Sequence, residues 1–298
     1  MNHFDHEQSR ARAKAQLRRG MYLLPSLFTA GSLGAGYFSI TQTLDSITRD
    51  AQSHLDWAAV AILFAIPFDA LDGRIARMTN TATDFGKELD SLADLITFGV
   101  APALLAFVWG FHFLPESLDP RLHQHLLQLG AFVSFLFLLC GASRLARFNI
   151  SHDAQPRNPG RPDRKYFVGM PIPAAAGLLA ATVHFFNAYP VEAWWVAIPW
   201  LILVGLTAFL MVSTWRFWSG KEINLTRRHP FQILALLAIL VYIVRYFSQG
   251  VLFFVALAYM FSGIWARAAY GWSRRRRRPE PAPKPTPEPE PLGPRFTD

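Results

Sequence analysis

One cysteine in 298 residues, Cys140, excludes an intrachain disulfide, and its place in an apolar run makes it a packed thiol. Charge is scarce too: Asp, Glu, Lys and Arg make up 17% of the chain, against about 25% in ordinary globular domains. The scarcity is uneven. Charged residues are nearly absent from several runs of about 18 or more residues, which excludes a chain made only of soluble amphipathic helices. Nor do the basic residues form a stripe interleaved with stacking aromatics, so the formal net charge of +8 does not point to nucleic acid. The first twenty residues lack the apolar core and small-residue cleavage site of a signal peptide, so the first span is expected to stay attached.

The chain is 52% hydrophobic, and its apolar residues cluster into eight candidate spans. These cover residues 21–41, 56–78, 86–111, 125–148, 169–189, 194–214, 230–247 and 250–271, which predicts an all-α, polytopic helix bundle in a membrane. With the N-terminus in the cytoplasm, the 29 Lys and Arg residues fall almost wholly on one side, and only Arg49, Arg121 and Arg245 lie on the other. That is the positive-inside pattern, and it places both termini and the turn near residue 80 on the cytoplasmic side. Residues 1–20 read as a basic juxtamembrane helix. Arg274 to Arg278 form a basic stop after the last span, and both segments suit anionic lipid headgroups. Beyond them the chain is Pro-rich and polar, and residues 273–298 as a whole are expected to be a disordered cytoplasmic tail.

Against this apolar background one stretch stands out, DALDGRIARMTNTATDFGKELDSLAD, from Asp69 to Asp94. Asp69 and Asp72 are three residues apart and Asp90 and Asp94 four, so each pair shares one helical face. The Thr- and Asn-rich break between them lets two helices fold back on each other. Four aspartates at membrane depth cost roughly 10–14 kcal/mol on insertion scales, as much as a typical folding stability. Basic side chains, water or bound cations must offset that cost. A few carboxylates combined with substrate phosphates and water are how Mg²⁺ is usually held, which favours a divalent-metal site. Gly73 and Ala76 leave room for a diphosphate beside the helix, Arg77 can grip phosphate oxygens through two N–H groups, and Gly86 permits close helix packing.

Written as Asp-x2-Asp-Gly-x2-Ala-Arg-x8-Gly-x3-Asp-x3-Asp, this stretch reproduces without gaps the signature of the CDP-alcohol phosphotransferases, which it closely resembles. Two further segments, RLARFN at 144–149 and YFVGMPIPAAAG at 166–177, are most similar to the bacterial phosphatidylserine synthases within that family. The resemblance implies a six-helix catalytic core, here residues 21–214, with two added transmembrane helices in 215–272. It implies an integral protein of the bacterial inner membrane, active at its cytoplasmic face and homodimeric. The reaction implied is transfer of the phosphatidyl group from CDP-diacylglycerol to L-serine, with release of CMP.

By the same resemblance Asp69, Asp72, Asp90 and Asp94 hold Mg²⁺ or Mn²⁺, as two ions, and Asp94 is also the general base, although spacing alone does not single out the base. Ser26 and Thr29, with Gly73, Ala76, Arg77 and Gly86, are expected at the CDP-diacylglycerol site. Arg144, Arg147 and Asn149 are expected to bind the acceptor or a phosphate. Glycerol 3-phosphate would also want arginines, so glycerol 3-phosphate, inositol and choline remain alternative acceptors. A cation-coupled transporter is the alternative of another class.

Overall fold

The structure, a computed structural model, describes residues 27–79, 84–152, 166–218, 249–265 and 267. The expected span at 230–247, the basic N-terminal segment and the C-terminal tail lie outside these residues. Within them helix follows helix. The first, α1, covers 27–45 and is followed by α2, Ala51–Thr79. Next comes α3, a continuous helical run through Asp84–Asp94, a π-helical stretch Leu95–Val100, Ala101–Phe107 and a second π-helical stretch Val108–His112. Then follow α4, Pro120–His152, α5, Ile172–Phe185, α6, Trp194–Val212, and α7 over 249–265.

Ala51–Leu71, Phe85–His112, Pro120–Ile150 and Trp194–Val212 are long and apolar enough to cross a membrane. Large apolar side chains line the outside of the bundle, among them Phe64, Phe132, Ile202 and Phe209, each more than half exposed. In water such a surface would aggregate, whereas in lipid it is the expected exterior. The chain is a helical membrane protein, in agreement with the sequence reading. Helix α5 is shorter than the span expected at 169–189. Pro171 caps its start, and Asn187 and Ala188, with φ of 54° and 53°, turn the chain away at its end.

One feature lacked any signal in hydropathy. Tyr166–Val168 (β1) and Arg216–Trp218 (β2) pair antiparallel, with Phe167 opposite Phe217. Gly169 follows at φ 78°, and a Cβ there would lie 2.5 Å from the Met211 carbonyl oxygen, so the strand pair meets the end of α6 where a side chain would not fit.

Helix α4 packs along α6 and α2 along α5, around a core that includes Leu55, Ile62, Phe98, Phe137, Leu178 and Leu210. Small residues bring α1 close to α3: a Cβ on Gly36 would lie 2.6 Å from Thr97 Oγ1, and that hydroxyl donates to the Ser32 carbonyl at 3.1 Å. At 1.5 Å per residue, Asp69 is about 27 Å along α2 from Ala51, nearly a hydrocarbon thickness away. The two ends of α2 therefore sit near opposite faces of the bundle.

At the Ala51 end, α2, α5 and α7 are tied by polar groups. His184 Nδ1 lies 2.6 Å from Asp56 Oδ1. Gln52 Nε2 donates to the Asn187 carbonyl at 3.1 Å, and Gln249 Nε2 to Asn187 Oδ1 at 2.7 Å.

Candidate functional site

At the other end of α2 the chain meets the start of α3. Pro67, two residues before Asp69, has no N–H for the Leu63 carbonyl, so α2 loses one internal bond just ahead of its first motif residue. Asp69 from α2 and Asp90 and Asp94 from α3 each turn one carboxylate oxygen toward the others, and the three atoms lie within 4.8 Å of one another. All three residues are half-buried. Three anionic oxygens at that separation repel, more strongly in a partly buried site than in water. A hard divalent cation converts the repulsion into coordination, and the donor set of carboxylate oxygens suits Mg²⁺ or Mn²⁺ chemistry.

The fourth aspartate, Asp72, lies on α2 with Gly73, Ala76 and Arg77, and the side chains at these positions fall outside the described residues. Ser26 also falls outside them. Thr29 is buried on α1, and Gly86 is half-buried in the first turn of α3.

A second group of expected residues comes from the end of α4. Arg144 is only 9% exposed, and its Nε is buried without a hydrogen-bond partner. Its guanidinium lies within electrostatic reach of Asp94, Arg147 and Tyr259, and 5.9 Å from the centre of the Phe148 ring. A guanidinium so deeply placed, with Asp94 in reach and its Nε still without an acceptor, has a donor left for a further anion. Arg147 is exposed and donates through Nη1 to the Val212 carbonyl at 3.2 Å, which ties α4 to the end of α6. Asn149 Nδ2 donates to Ser91 Oγ at 2.9 Å, which ties α4 to α3 between Asp90 and Asp94.

The fold thus brings together residues 69, 90, 94, 144, 147 and 149, drawn from three helices and up to 80 positions apart. Sequence reasoning missed Ser91 and Tyr259. Ser91 stood inside the acidic motif, adjacent to Asp90, and could have been found by asking which polar residues flank the ligands. Nothing local marks Tyr259, because α7 reaches Arg144 only through the tertiary fold.

With this geometry in view, known proteins offer a direct comparison. Residues 22–203 match the family described as CDP-alcohol phosphatidyltransferase. A CDP-diacylglycerol–serine O-phosphatidyltransferase of Helicobacter pylori is 37% identical over 205 residues, which cover 68% of this chain and 75% of that protein. One from Mycobacterium bovis is 34% identical over 235 residues, 76% of this chain and 72% of its own. A third, from Methanocaldococcus jannaschii, is 37% identical over 152 residues, 51% of this chain and 59% of that protein.

Proposed function

Because this chain belongs to the CDP-alcohol phosphatidyltransferase family, we propose that it transfers the phosphatidyl group of CDP-diacylglycerol to L-serine, giving phosphatidylserine and CMP. The observation that carries the reading is the convergence of Asp69, Asp90 and Asp94 from two helices beside a buried Arg144. Asp69, Asp72, Asp90 and Asp94 would hold Mg²⁺ or Mn²⁺, as one or two ions, whose charge would offset that of the diphosphate and of the departing CMP.

The chain's own groups supply the rest. Asp94 faces both the other carboxylates and Arg144, which suits a base working where metal side and acceptor side meet. It accepts the proton of the serine hydroxyl as the serine oxygen bonds to the β-phosphorus. The bond from that phosphorus to the bridging oxygen breaks, and the electron pair leaves with CMP. Arg77, Gly73 and Ala76, with Gly86, Ser26 and Thr29, form the CDP-diacylglycerol side. Arg144 takes the serine carboxylate, for which its buried and unpartnered Nε is already desolvated, while Arg147 and Asn149 frame the same side.

The positive-inside pattern supports an active site, N-terminus and C-terminus in the cytoplasm, and relatives from bacteria support the inner membrane. The core at 21–214 acts as a homodimer, as the family resemblance implies, with Arg274 to Arg278 held at anionic headgroups.

The test is incubation of purified protein with CDP-diacylglycerol, Mn²⁺ and serine, glycerol 3-phosphate, inositol or choline in turn, following CMP and identifying the lipid product by mass. Serine-dependent CMP release with phosphatidylserine as product is expected. Release with another alcohol alone would move the reading to that acceptor, and no release with any would end it.

A further inference from the structure

We infer that the Ser91–Asn149 hydrogen bond is a brace that sets the orientation of Asp90 and Asp94, which makes Ser91 and Asn149 positioning residues for the metal site. The inference rests on the reading of Asp69, Asp90 and Asp94 as cation ligands.

The first segment of α3 carries two of the three converging carboxylates, and its apolar side chains are largely exposed. Phe85 is 77% and Leu92 60% exposed, and Ala93 is the one residue of Asp84–Asp94 that the structure buries among those whose side chains are described. Within Asp84–Asp94 the apolar side chains other than Ala93 therefore add little rotational restraint of their own, and the buried stretch of α3 with Thr97 and Phe98 begins beyond Asp94. Rotation matters here because a carboxylate at the helix surface is about 5–6 Å from the axis, so a turn of about 10° moves it by about 1 Å. Ligand positions tolerate a few tenths of an ångström, and catalytic groups about 0.5 Å.

Ser91 is the residue after Asp90 and three before Asp94, and its Oγ accepts from Asn149 Nδ2 at 2.9 Å across 58 positions of sequence. Asn149 is at the end of α4, five residues after Arg144, and α4 is itself tied to α6 through Arg147 and Val212. The bond therefore spans from the helix with the carboxylates to the helix with the buried guanidinium. It fixes the angle of the ligands and also the separation between metal side and acceptor side. Asn149, which frames the acceptor side, thereby also acts on the metal side through Ser91. Partners that orient ligands in this way typically change metal affinity 10- to 100-fold when removed.

Mn²⁺ titration of the purified full-length protein, read by the electron paramagnetic resonance of free Mn²⁺ without substrate, tests the brace. Ser91→Ala is expected to weaken Mn²⁺ binding about tenfold, and Ser91→Thr, which keeps the hydroxyl, to stay within about twofold of the parent. Asn149→Ala should resemble Ser91→Ala, and the double variant should be no worse than either single one. A merely structural role would lower the melting temperature and leave the binding curve of the folded protein in place. Unchanged Mn²⁺ binding in Ser91→Ala, or independent adding of the two single effects, would overturn the brace. Failure of the functional reading looks different: a parent protein that binds Mn²⁺ tightly but releases no CMP with any acceptor would remove the transferase and leave the brace standing.

Discussion

The two ends of α2 carry polar clusters of opposite design. At the Ala51 end each group meets a complement: Asp56 faces His184, and the amides of Gln52 and Gln249 both close on Asn187. At the Asp69 end like meets like, with carboxylate oxygens from two helices within 4.8 Å, and the nearby Arg144 keeps a buried Nε without a hydrogen-bond partner. Complementary polar groups hold helices together. Juxtaposed carboxylates repel one another, and a divalent cation between them turns that repulsion into coordination. Both clusters are polar intrusions into an apolar bundle, and the convergence of like charges marks the second as a site.

Substitutions at the two ends should separate accordingly. The largest effect is expected for Asp94→Asn, which should lower kcat for serine-dependent CMP release by about 10²- to 10⁴-fold, the usual worth of a general base. Chelation of divalent cations should abolish activity in the parent protein and Mn²⁺ should restore it, which a CMP assay reads directly. Next, Arg144→Met should raise the KM for serine about 10- to 150-fold, the equivalent of one charged hydrogen bond, and leave the KM for CDP-diacylglycerol in place.

Smaller effects are expected away from the charges. Gly36→Ala would press a methyl group on Thr97, three residues beyond Asp94, and should cost about 1–3 kcal/mol of stability by thermal unfolding in detergent. Smallest is Asp56→Asn, which keeps an acceptor for His184 and should cost about 1 kcal/mol with kcat unchanged. A loss of turnover in Asp56→Asn at unchanged stability would break the contrast between the two ends.

Much of the bundle was legible in advance because spanning a membrane imposes long uncharged runs, and a run is a local property of sequence. Seven of the eight expected spans coincide with helices among the described residues. The exceptions are equally physical. The β1–β2 pair joins residues 50 positions apart, and the ends of α5 depend on a proline and a left-handed turn more than on hydropathy. Within the site, the spacing of Asp69, Asp90 and Asp94 already required facing carboxylates once the helices doubled back. That Asn149 donates to Ser91 had no such local rule behind it.

By itself the sequence determined the membrane location of the helices and the acidic motif, because hydropathy and the 3.6-residue period act over one or a few turns. The family follows from the same residues. Only the tertiary structure decided which polar groups are partnered and which are not: it joined Asp56 to His184, left the Arg144 Nε without a partner and set Ser91 against Asn149. Hydrogen bonding depends on distances of about 3 Å between side chains far apart in the chain, and no local pattern encodes those distances.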